Sequence, residues 1–114
     1  MTTESQETIG FVNWFRSKFP GIIIFHIPNE GKRSIMMNKR LVAEGMIPGI
    51  PDLCVPQWNL FIEMKRENGR LSQVQRITIK KLEAAGQTVI VGYGARDASK
   101  KILVFIKESC FYNR

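Results

Sequence analysis

Three features of the sequence predict an α/β fold in which a mixed sheet is flanked by helices. Apolar residues recur at helical spacing near both ends and again past the middle, whereas short β-branched runs lie between them. The two patterns follow one another as helix, strand, basic segment, two strands, helix, strand, helix, which interleaves helices with strands instead of collecting them in separate blocks. With 114 residues, 44% of them hydrophobic, the chain can fill one core, so a single domain is expected over residues 1–114.

Each element has its own signal. Thr8, Phe11, Val12, Phe15 and Phe19 mark one face of a first helix, which Pro20 and Gly21 stop. Residues 21–27 are short, continuous and rich in isoleucine, the pattern of a strand buried on both faces, and Pro28, Asn29, Glu30 and Gly31 end it. Residues 32–42 mix Lys32, Arg33, Lys39 and Arg40 with Ile35, Met36 and Met37, a basic segment that is part helix and part loop. Pro48, Gly49 and Pro51 make residues 47–51 a rigid loop that delivers Asp52 to the sheet. Residues 52–55 and 60–66 read as consecutive strands joined across residues 56–59 in an antiparallel hairpin. After a turn at residues 67–71, Ser72 caps a helix that carries Val74, Ile77, Leu82 and Ala85 until Gly86 closes it. Residues 88–92 form another buried strand, and residues 97–107 repeat the helical pattern with Ala98, Ile102, Phe105 and Ile106.

Composition narrows the function. Seventeen Lys and Arg against ten Asp and Glu give a net charge of +7, which favours a polyanionic partner such as nucleic acid. Cys54 and Cys110 have no CxxC or Cys/His spacing and read as ordinary thiols in a reducing compartment, which excludes a disulfide scaffold and a zinc site. The polar N-terminus and short apolar runs predict neither a leader peptide nor a membrane span, so an intracellular protein is expected.

The candidate chemistry lies in the hairpin. Side chains alternate along a strand, so Phe61, Glu63 and Lys65 share one face while Leu60, Ile62 and Met64 take the other. A carboxylate and an ammonium in an apolar strand need partners, because an unpaired buried charge costs several kcal/mol. Asp52 and Glu63 closing on a divalent metal, with Lys65 beside them, would relieve that cost and supply phosphodiester-cleaving chemistry. Both are hard oxygen ligands suited to Mg²⁺ or Mn²⁺. Lys65 would orient the attacking water, stabilise charge on the phosphorane, or exchange a proton. Lys32, Arg33, Lys39, Arg40, Arg66 and Arg70 are the candidates for contacts with DNA phosphates. His26, a lone histidine ending an apolar run, reads as structural; Ser72 reads as a helix cap; Trp58 divides evenly between packing and a DNA or partner contact.

Pro51-Asp52 followed by Glu63-Met64-Lys65 resembles the signature of the PD-(D/E)XK nucleases. Together with His26, Pro28, Asn29 and Gly31, with Glu44 and Gly45, with Pro48, Gly49 and Ile50, and with Gly69, Ser72 and Gln75, it makes nearly the whole chain similar to a stand-alone, phage-type VRR-NUC domain. The resemblance implies a restriction-endonuclease-like fold with an α-β-β-β-α-β core. It implies a metal-dependent DNA endonuclease, selective for branched DNA such as four-way junctions, working as a homodimer inside a phage-infected or bacterial cell. It further implies that the Met64 backbone carbonyl joins Asp52 and Glu63 on the metal, and that Gln75 positions Lys65 or the water. A glutamate of the first helix also reaches the site in that family: Glu4 aligns with it best, with Glu7 one turn along as the alternative. The competing reading is a non-catalytic nucleic-acid-binding module of the same fold.

Overall fold

The computed structural model describes residues 2–28 and 35–109. Lys32, Arg33 and Cys110 lie outside them. In chain order the elements are α1 (Glu4–Lys18), β1 (Phe25–His26), α2 (Ile35–Ala43), β2 (Leu53–Val55), a 3₁₀ turn (Pro56–Trp58), β3 (Leu60–Lys65), α3 (Gln73–Ala84), β4 (Thr88–Tyr93) and α4 (Ala95–Lys107). The strands form one four-stranded sheet in the order β1-β2-β3-β4, antiparallel except that β4 runs parallel to β3. This is the mixed sheet flanked by helices that the sequence pattern predicts.

One face of β3 makes the core. Leu60, Ile62 and Met64 are fully buried with Leu53 and Val55 of β2, and Phe11 and Phe15 of α1 and Ala98 and Ile102 of α4 cover them. Fixing β4 against α4 requires Gly92, because a Cβ there would lie 2.9 Å from the Ala98 Cα. The hairpin between β2 and β3 forms as expected, with Leu53 opposite Ile62 and Val55 opposite Leu60. Asn59 turns it at φ 49°, a left-handed conformation that asparagine tolerates better than most residues.

Three expectations need correction, and the open reading of Trp58 is decided. Residues 21–27 are not a strand buried on both faces: only Phe25 and His26 pair, at the sheet edge, and both are exposed. The Gln57 side chain takes the place of a strand neighbour for the preceding backbone, accepting from the Ile23 N–H at 2.5 Å and donating to the Gly21 carbonyl at 3.1 Å. Likewise β4 is an edge strand whose Val89, Ile90 and Val91 are half-buried. Its Val91 carbonyl is capped by the Lys101 ammonium at 2.7 Å, which blunts the open edge. In α3, Val74 and Ile77 stay about half exposed and Thr78 is the buried residue, its hydroxyl donating to the Pro48 carbonyl at 2.7 Å. Trp58 is buried, with its ring centroid 5.3 Å from that of Phe19, 5.6 Å from Phe15 and 6.1 Å from Phe105, so it belongs to the aromatic core and not to a DNA surface.

Candidate active site

The carboxyl of Asp52 is brought to the sheet by the loop before β2, whose path is fixed by two contacts with α3. The Thr78 hydroxyl holds Pro48, and Gly49 lies so close to the helix that a Cβ would meet the Val74 carbonyl oxygen at 2.7 Å. Gly49 also has φ 77°, which favours glycine. Asp52 then reaches across to β3, where its Oδ2 accepts from the Met64 N–H at 2.9 Å.

Glu63 points away from the core on the other face of β3, yet it is only 2% exposed. Its carboxyl is hydrogen-bonded to that of Asp52. The Gln75 amide donates to Glu63 Oε2 at 3.0 Å, and the Lys65 ammonium stands 3.7 Å from the same oxygen. Gln75 reaches this point because it is the third residue of α3, one turn past the Ser72 cap: Ser72 Oγ accepts from the Gln75 N–H and Gln75 Oε1 accepts from the Ser72 N–H, a closed capping box. The periodicity of β3, the alternation of its faces and the cap on α3 together bring Asp52, Glu63, Lys65 and Gln75 to one place.

Electrostatics mark this place as unsettled without a further cation. Burial raises the Asp52 carboxyl, against the lowering effects of the Met64 N–H, His26, Lys65 and Glu63. Burial and the adjacent Asp52 charge push Glu63 up to about 8, with Lys65 opposing and Glu4 adding to the rise. Two carboxyls desolvated side by side hold one proton between them.

The two glutamates of α1 separate clearly. Glu7 is engaged elsewhere: its Oε1 accepts from the Ala95 N–H at 2.7 Å at the start of α4, and its Oε2 accepts from the Thr2 hydroxyl. These two donors, the hydroxyl first, hold its carboxyl below the usual range. Glu4 instead contributes to the field at Glu63 and lines, with His26 and Asp52, a groove of about 560 Å³ between α1 and the β1–β2 edge. His26, read from sequence as structural, thus sits at the mouth of that groove with its charge acting on Asp52. Only the spacing of the groove-lining residues across three elements reveals this, and sequence carries no signal for it. Among the described residues no three His, Cys, Asp or Glu side chains gather closely enough to enclose a metal ion.

The basic candidates disperse. Lys39 and Arg40 lie on the exposed α2, where Arg40 pairs with Glu44 at 3.3 Å, whereas Arg66 directly follows Lys65 and Arg70 lies in the turn before α3. No helix among the described residues is long and apolar enough to cross a membrane.

A mixed four-stranded sheet flanked by helices, with α1 and α4 on its core face and β4 parallel to β3, is a nuclease-like α/β fold of the restriction-endonuclease kind. Among solved structures, one described as a VRR_NUC domain protein matches at a TM-score of 0.77 and 25% sequence identity, over 94% of this chain and 90% of that chain. The fold of this chain is the VRR-NUC fold. No protein-family model matches the sequence, and no curated protein matches it.

Proposed function

We propose that the protein is a metal-dependent DNA endonuclease that hydrolyses phosphodiester bonds and selects branched DNA such as four-way junctions. The observation that carries this reading is the convergence of the half-buried Asp52 and the buried Glu63, two carboxyls that burial raises above their ordinary values, with Lys65 and Gln75 on the same oxygen of Glu63, in a VRR-NUC fold.

The donor set fits Mg²⁺ or Mn²⁺. Such ions accept one or two carboxylates and keep several waters, so the absence of a third acidic ligand among the described residues is no obstacle. A divalent charge would also replace the proton that the raised carboxyls now hold, which is the electrostatic demand the pair presents. Asp52 and Glu63 would hold the metal, with the Met64 carbonyl as a third oxygen. When bound, the ion supplies activation of the attacking water and neutralisation of charge at the phosphoryl group.

The chain's own groups do the positioning. The Met64 N–H fixes Asp52, and the Gln75 amide fixes Glu63. Lys65, held near Glu63, directs its ammonium at the developing negative oxygens of the phosphoryl group, where a fixed cation acts more strongly than in water. Glu4, at the same end of the sheet, orients the water side of the site. Lys39, Arg66 and Arg70 contact phosphates and hold the duplex without reading its sequence.

A homodimer would place two such sites on the two sides of a junction. The exposure of Ile35, Met36, Met37 and Val42 on α2, a helix with no buried residue, supports that reading because a second copy would cover them. The test incubates the protein with linear, flap, splayed and four-way DNA in Mg²⁺, Mn²⁺ or chelator. Metal-dependent cutting of the branched forms is expected; binding without cutting in every metal would favour a non-catalytic module.

A further inference from the structure

We infer that a second basic site, formed by Arg66, Arg96 and Lys100, binds a backbone phosphate of the DNA strand flanking the scissile bond. The inference rests on the nuclease reading above. The three cations line a pocket of about 580 Å³ at the carboxyl ends of the parallel strands β3 and β4. Lys65 ends β3 beside this pocket: its carbonyl accepts at 2.7 Å from the N–H of Gly94, which lines the pocket, and Arg66 follows it directly. Open α/β sheets take their ligands in this crevice.

The pocket's three cations face three carboxylates, Glu7, Asp97 and Glu67, and two of these have their oxygens engaged at the start of α4. Glu7 is committed to the Ala95 N–H and the Thr2 hydroxyl. Asp97 accepts from the Tyr93 N–H at 2.9 Å and pairs with Lys101 at 2.9 Å, and although burial raises its carboxyl these partners hold it below the usual range. Both acids therefore hold the start of α4; their charges still act in the pocket, that of Asp97 on Lys100, but their oxygens bond donors other than the guanidinium groups. The guanidinium groups of Arg66 and Arg96 make no hydrogen bond or ion pair with any described residue, and both residues are exposed. Guanidinium groups with free donors at the edge of a pocket match a phosphate, whose oxygens they can grip two at a time. Glu67, on the rim of the same pocket, is the one carboxylate there with no partner among the described residues, and it works against an anion.

That opposition gives the test two directions. DNA affinity is measured in chelator, so that no cutting occurs, across a range of salt concentrations. Arg96→Gln with Lys100→Gln is expected to weaken binding about tenfold at low salt and to flatten the slope of log affinity against log salt by roughly 0.9 for each phosphate released. Glu67→Gln is expected to tighten binding and leave the slope unchanged. These exposed side chains hold no element of the fold in place, and unchanged melting curves are expected. If wild-type protein binds and cuts DNA while the double variant binds with the same affinity and slope, the phosphate site is wrong and the nuclease reading stands. If wild-type protein binds DNA but cuts none, and the double variant still loses affinity, the site stands and the catalytic reading falls.

Discussion

The Gln75 side chain joins two structures at once: its oxygen accepts from the Ser72 N–H at 2.8 Å, closing the cap of α3, while its nitrogen donates to Glu63 Oε2 at 3.0 Å. Helix start and the Glu63 carboxyl are therefore set by one residue. Gln75→Ala should lose about 1 kcal/mol of stability through the cap and lower activity as well. Gln75→Glu separates the two roles, since glutamate serves equally at the third position of a capping box but cannot donate to a carboxylate. Cleavage should fall while the helix cap is kept, and, because a third carboxyl then stands beside Glu63, the melting temperature in chelator should drop more steeply with rising pH than that of wild type; normal cutting by Gln75→Glu would show that Gln75 acts only through the helix.

The carboxyl pair predicts catalysis and stability moving in opposite directions. Asp52→Asn and Glu63→Gln should each reduce cleavage by roughly a thousandfold or more, since a ligand charge is removed. Without metal both should be at least as stable as wild type, because one of two adjoining buried carboxyls no longer has to ionise. Cleavage assays beside thermal melts in chelator check this, and near-normal cutting by either variant would refute the assigned site.

Stability without metal should also depend on pH. Glu63 rises from its ordinary 4.5 to about 8 in the folded chain, and Asp52 rises too, so between these limits the folded state binds protons that the unfolded chain has released. Unfolding free energy must then fall as pH increases through this window, by on the order of 5 kcal/mol, and level off above it. The stabilising contribution is fully present below the ordinary value and lost through the raised one. Denaturant titrations in chelator from pH 4 to 9 test it: Glu63→Gln should remove most of the slope, and a wild-type curve that is flat over the window would contradict the shared proton.

Local signals were legible in the sequence and partner-dependent ones were not. The alternation that puts Glu63 and Lys65 on one face of β3, the hairpin at Asn59 and the Ser72 cap all depend on neighbours a few residues away, and each stands where the pattern predicts it. Burial of Ile23 or Val89 depends on what lies beside the strand, and a continuous apolar run reads the same at an edge as in the middle of a sheet. Trp58 divided evenly between packing and a DNA or partner contact because nothing nearby in sequence announces Phe15, Phe19 and Phe105. The gathering of Arg66, Arg96 and Lys100 was hidden for the same reason: the parallel pairing of β3 with β4 creates it, and that pairing is not a property of either segment alone.

Lys65 should matter to the reaction and not to holding the metal. The ammonium approaches Glu63 to 3.7 Å but is itself no ligand, so Lys65→Ala is expected to lose roughly 10²- to 10⁴-fold in cleavage while metal titration by calorimetry remains near wild type. Loss of metal binding as complete as in Asp52→Asn would mean that Lys65 organises the carboxyls and has no separate part in the chemistry.

The two glutamates of α1 supply the last contrast. Glu7 caps the first N–H of α4 from a distant part of the chain, and with Gly94 preceding it that helix has no side-chain cap of its own. Removing the Glu7 carboxylate leaves the Ala95 N–H without its acceptor and Asp97 alone as the anion at that end of α4, so Glu7→Ala should lower the melting temperature while each folded molecule cuts normally. Glu4 makes no such tie: its side chain faces the groove shared with His26 and Asp52, and its charge is felt at Glu63. Glu4→Ala should therefore leave the melting curve in place and reduce cleavage by roughly ten- to a hundredfold, the usual cost of removing a group that supports metal ligands. Melting temperature and specific activity measured on both variants decide between the two residues: a normal rate in Glu4→Ala together with a lost rate in Glu7→Ala, at protein concentrations corrected for folded fraction, would transfer the catalytic assignment one turn along the helix.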